Sequence, residues 1–138
     1  MIASLFLLAT SATDLGTSPL VQPDHVHRWT ISQSNNEVTA WIDKAWLSED
    51  VIDGIRYKLV LLRTEMNAKP YSVVTDLVAA VDCHSNEIGM LLGWLIRSSG
   101  GNGSLELVID RLEMQPALPN PEDGDQKIIA FACSARQG

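Results

Sequence analysis

Apolar and polar residues alternate along most of the chain with the two-residue period of half-buried strands. Trp29-Thr30-Ile31-Ser32 opens the pattern, and Ser34-Asn35-Asn36 closes it with a turn. Val38 to Asp43 alternates again, with Val38, Ala40 and Ile42 on one face; Ser48-Glu49-Asp50 and Asp53-Gly54 then read as a loop. From Ile55 to Thr64, Ile55, Tyr57, Leu59 and Leu61 share one face, and Arg56, Lys58, Val60 and Leu62 share the other. The second face turns from polar to apolar along its length, so its far end is expected to be covered. Asn67 to Pro70 forms the next turn. Tyr71 to Cys83 follows, with Val73, Leu77, Ala79, Val81 and Cys83 on one face and Asp76, Asp82 and His84 on the other.

His84-Ser85-Asn86 predicts a turn, and Glu87 to Arg97 is apolar on both faces. Gly89 and Gly93 inside it point to a bulge or to close approach of another backbone, and they weigh against a helix. Ser98 to Ser104 is a glycine-rich turn, and Leu105 to Leu112 resumes the strand pattern. Gln115 to Pro121 holds three prolines, which exclude a helix interior or a central strand. After it the period changes. Glu122-Asp123-Gly124-Asp125 places acids where a helix begins, and Ile128, Ile129, Ala132 and Cys133 form a helical stripe. Arg136 lies at the favourable end for a cation. The expected fold is α+β: a single antiparallel sheet of about six strands packed by a short C-terminal helix.

The 138 residues suffice for one domain. The net charge of −7 disfavours a polyanion partner such as nucleic acid, because that affinity rests on Lys and Arg. The one basic cluster, Arg56-Tyr57-Lys58 with Arg63, reads as a solvated strand face. Residues 1–12 resemble a secretory leader: an apolar run from Ile2 to Ala9, then small residues before a cleavage point after Ala12, but no preceding Lys or Arg. The alternatives are a start placed late or a buried N-terminal strand. Residues 13–25, with Pro19 and Pro23, are expected to form a flexible mature N-terminus before a single domain over 26–138. No apolar run of about 18 residues remains for a transmembrane segment.

Two cysteines stand alone, Cys83 and Cys133. Buried free thiols are one reading. The even count, the position of each at the end of an element, and the leader-like segment favour a disulfide. It would close a loop of about 50 residues and contribute roughly 4 kcal/mol in the chain-entropy model. No Cys-x-x-Cys occurs, so redox catalysis has no motif.

Over about Trp29 to Cys133, the layout resembles the surface-adhesin protein E-like family of bacterial exported proteins. The resemblance rests on Trp29 opening a strand, Val38-Thr39-Ala40-Trp41 in the next, Tyr71 through Val81-Asp82-Cys83, and Pro116 through Phe131-Ala132-Cys133. Where the family carries Pro-Gly-Ser before its helix, this chain reads Pro121-Glu122-Asp123-Gly124. The resemblance implies an antiparallel sheet, a linking disulfide, and export to the periplasm or outer surface. The expected partner is an unidentified protein or surface, and no cofactor is assigned. Adhesion is not implied by fold. The expected role is that of a non-catalytic binding or interaction module. A small hydrolase or ligand-binding enzyme with a pocket between sheet and helix is the alternative.

No residue set specifies a reaction. Asp24-His25-Val26-His27 is the nearest approach to a metal site, since His25 and His27 would point the same way on a strand. With no third ligand identifiable, the segment is expected to be exposed and flexible, and no metal is assigned. Cys83 and His84 are adjacent and face opposite sides of a strand, so they cannot act as nucleophile and base. Gly-x-Ser-x-Gly is absent, and Gly100 to Gly103 lacks the Lys and helix of a phosphate loop. The acids Glu49, Asp50, Asp53, Glu122, Asp123 and Asp125 do not have EF-hand spacing and read as caps or solvated charges. Trp41, Trp46 and Trp94 read as core and rim.

Overall fold

A computed structural model describes residues 21–22, 24–68, 71–98, 106–109 and 112–134. Six strands follow one another across a curled antiparallel sheet in chain order. They are β1 (Trp29–Ser34), β2 (Val38–Ile52), β3 (Ile55–Ala68), β4 (Tyr71–Asp82), β5 (Glu87–Ser98) and β6 (Glu106–Ile109). A two-residue strand, β7 (Gln115–Pro116), pairs with the start of β5, where its proline sits at an edge. A 3-10 turn (Pro121–Asp123) leads into the helix α1 (Asp125–Ser134). The expected sheet, C-terminal helix and disulfide are all present, with the content mostly strand. Residues 99–104 of the glycine-rich turn read at Ser98 to Ser104, and Arg136, lie outside the described residues; Ser98 ends β5.

β2 runs longer than its sequence pattern predicts. Ser48, Glu49 and Asp50 belong to the strand and pair with Leu59, Lys58 and Tyr57. The loop shrinks to Asp53-Gly54, both with positive φ, 52° and 81°. This is the backbone of a two-residue hairpin turn, and it lets polar residues next to it pair across the strands. Glu49 accordingly lies 3.6 Å from both Arg56 and Lys58.

Both faces of the central strands are buried. On one face, Ile128, Ile129 and Ala132 of α1 pack on Ile42, Val60, Leu62, Ala79 and Val81. This is the cover predicted for the far end of β3. Cys83 and Cys133 are bonded, with 5.6 Å between their Cα atoms, which ties the end of β4 to α1. On the opposite, inner face of the curl lie Tyr57, Leu59, Leu61, Val74, Val78, Ala80 and Trp94. Val21, upstream of the first strand, is buried against this same cluster. Residues 21–22 and 24–28 thus act as a strap over the inner face. A second crossing occurs at Gly89, where a Cβ would lie 2.6 Å from the Glu113 carbonyl oxygen. The expected close approach of another backbone is found at this glycine.

Candidate functional site

The polar residues of the inner face converge under the strap. β2 makes a wide bulge: Ile42 pairs with Leu62 and Leu47 with Val60, so four residues of β2 stand opposite Leu61. Asp43 opens the bulge and is fully buried. Its Oδ1 accepts hydrogen bonds from the backbone N–H groups of Arg28 and Ala45, each at 2.9 Å. The bond to Ala45 is the local turn that Asp makes readily two residues ahead, and it shapes the bulge. Lys44 N–H donates to the Arg28 carbonyl at 2.9 Å, which continues the β1–β2 pairing and brings the strap to the bulge.

The other oxygen, Oδ2, faces two imidazoles. His25 Nε2 lies at 2.8 Å and His27 Nδ1 at 2.6 Å. Burial pushes the Asp43 carboxyl up, but its four hydrogen-bond donors outweigh burial and hold it below the ordinary carboxylate value. It is therefore ionised at neutral pH. An ionised carboxylate only accepts, so His25 donates from Nε2 and His27 from Nδ1.

His27 stacks on Trp29 with ring centroids 4.8 Å apart, and the Arg63 guanidinium sits 4.8 Å above the same indole. Arg63 in turn donates from Nε and a terminal nitrogen to both oxygens of Asp76, at 2.7 and 3.0 Å. Asp76 is fully buried and stands directly opposite Arg63 on β4. Burial raises its carboxyl against the downward pull of Arg63. The result is a connected row: His25, His27, Asp43, Trp29, Arg63, Asp76.

This row corrects two expectations. The His25–His27 segment is not an exposed flexible stretch, since the two side chains are only 15% and 22% exposed and both hold Asp43. Arg63 is not part of a solvated basic face. It has the parity of Tyr57, Leu59 and Leu61, whereas Arg56 and Lys58 point the other way. The alternation of two histidines was readable in the sequence, but Asp43, 16 residues beyond His27, was not readable as their partner. It follows three alternating residues and looks like an ordinary strand end.

The remaining residues singled out by sequence fall elsewhere. His84 is exposed in the turn after β4, where its N–H donates to Asp82. Asp125 accepts from Leu118 N–H at the start of α1, and Asp50 accepts from the N–H of Val51. Trp94 is buried, while Trp29 and Trp46 are half-buried around the inner core. Among the described residues, no helix is long and apolar enough to cross a membrane. No family model, curated protein or solved structure matches the chain.

Proposed function

We propose that this chain is an exported, non-catalytic binding module of the periplasm or outer surface, as the surface-adhesin protein E-like resemblance implies. The observation that carries the reading is the Cys83–Cys133 bond. Structural disulfides persist in oxidising compartments and are rare in reducing ones. Ile128, Ile129 and Ala132 of α1 pack on the sheet, and the cleft beside that contact is lined mostly by apolar and Lys side chains, which suits a binding role better than a hydrolase. The binding surface in this reading is the outer edge of β1, which pairs with no strand among the described residues. Beside it runs a groove lined by Ile31, Lys44, Lys127 and Phe131. Extended partners add to such edges through main-chain hydrogen bonds.

Intact mass of the native protein from envelope and cytosolic fractions tests the location. Loss of the leader-like segment and of two thiol protons is expected; free thiols with an intact Met1 would overturn export. Capture from the same envelope fraction by the wild type and by Ile31→Asp tests the surface. Ile31 is half exposed on β1. A captured species present for the wild type and lost for the variant is expected, and no such species would defeat the edge as the binding surface.

A further inference from the structure

His25 Nε2, His27 Nδ1 and Asp43 Oδ2 all lie within 4.8 Å of one another. Two imidazole nitrogens and one carboxylate oxygen form a donor set suited to zinc(II) and its transition-metal neighbours. We propose that these three side chains bind a divalent transition-metal ion, zinc(II) in first place, with a fourth position left for water or a ligand. The proposal goes beyond the export reading and does not depend on it.

Four features carry it. Asp43 is already oriented as a one-oxygen ligand, because the backbone N–H groups of Arg28 and Ala45 occupy Oδ1 and leave Oδ2 turned to the histidines. Such outer partners orient metal ligands in established sites. The His27 ring is held from behind by its stack on Trp29. The charge is unbalanced: two buried carboxylates, Asp43 and Asp76, share the row with one guanidinium, Arg63. A divalent cation at Asp43 Oδ2 would add positive charge beside these two buried carboxylates, where charge interactions are screened least. Finally, the partial exposure of both histidines gives an ion a path from solvent.

Metal ligation requires the three donors to rearrange. Tetrahedral bonds of about 2.0–2.1 Å place donors about 3.3 Å apart. The present contacts of 2.8 and 2.6 Å must each open by about half an ångström or slightly more, and the two ring nitrogens, within 4.8 Å of each other, must close by up to about 1.5 Å. That movement falls on the strap. A metal ligand must be deprotonated at the ligating atom, so any proton on His25 Nε2 or His27 Nδ1 leaves for the other ring nitrogen or for solvent.

Calorimetric titration of the chelator-stripped, disulfide-intact protein with zinc(II) alone tests the site. One ion per chain is expected. His25→Ala and His27→Ala are each expected to weaken binding by about tenfold or more. His84→Ala, which removes the other histidine, is expected to leave it unchanged. Variants at Asp43 are avoided because that residue also holds the strap, and the histidine variants are admitted only if their thermal unfolding stays cooperative. Should they fail that check, cobalt(II) added to the wild type decides: intense visible absorption of a four-coordinate ion is expected. Absence of zinc binding by the wild type, affinity unchanged in both histidine variants, or a six-coordinate cobalt spectrum would overturn the proposal.

Discussion

Asp43 concentrates four donors on one buried carboxylate, and its position explains why the strap lies where it does. A carboxyl held below its ordinary value of 3.8 stabilises the folded state above that pH. The contribution is complete above 3.8 and is lost as pH falls through the lower folded-state value. Urea titrations between pH 6 and about pH 2 are therefore expected to show stability falling on the acid side. Asp43→Asn keeps an acceptor but loses the charge. It is expected to cost about 3 kcal/mol at pH 7, in the range for hydrogen-bonded buried charges, and to flatten the acid limb. An unchanged acid limb in the variant would show that other carboxylates govern it. Asp76 works in the opposite sense: burial raises its value, so it favours folding most when protonated.

At the scale of elements, the crossing at Gly89 is a place where sequence and packing can be compared directly. Any side chain there meets the Glu113 carbonyl oxygen, which is backbone and cannot swing aside. Gly89→Ala is expected to lower stability by about 1–3 kcal/mol, read from the denaturant midpoint. Gly54→Ala has free space but a φ of 81°, so its cost would come from the backbone alone. The strands β1, β3, β4 and β5, and the helix, were legible because each carries its own periodicity and turn residues. The far half of β2 was not, because Ser48, Glu49 and Asp50 are polar and gain their place from partners on β3. The cluster at Asp43 was half legible. Two histidines two apart announce a shared direction, but the bulge that delivers the carboxylate depends on register between strands and leaves no local mark.

For the whole molecule, the disulfide joins the middle of the chain to its end, across 50 residues. Reduction, or Cys83→Ser with Cys133→Ser, is expected to lower unfolding free energy by about 4 kcal/mol in the chain-entropy model. Denaturant unfolding with and without reductant measures it. A loss well under 1 kcal/mol would mean that α1 is held by its apolar contacts alone. Those contacts, Ile128, Ile129 and Ala132 on Val60, Leu62, Ala79 and Val81, bury one face of strands whose other face is already buried by the strap and its neighbours. This two-sided burial has a further consequence. In most sheets a strand that slips by one residue turns its apolar row to water, and that penalty fixes the alignment. β3 has no watery side along Leu59 to Leu62, so greasiness cannot decide which way up it lies. The Arg63–Asp76 pair can: a slip by one residue would carry the guanidinium into the apolar layer beneath α1 and leave Asp76 buried without its counter-charge. The salt bridge thus works as a key that fits one alignment of the two central strands and jams in the others.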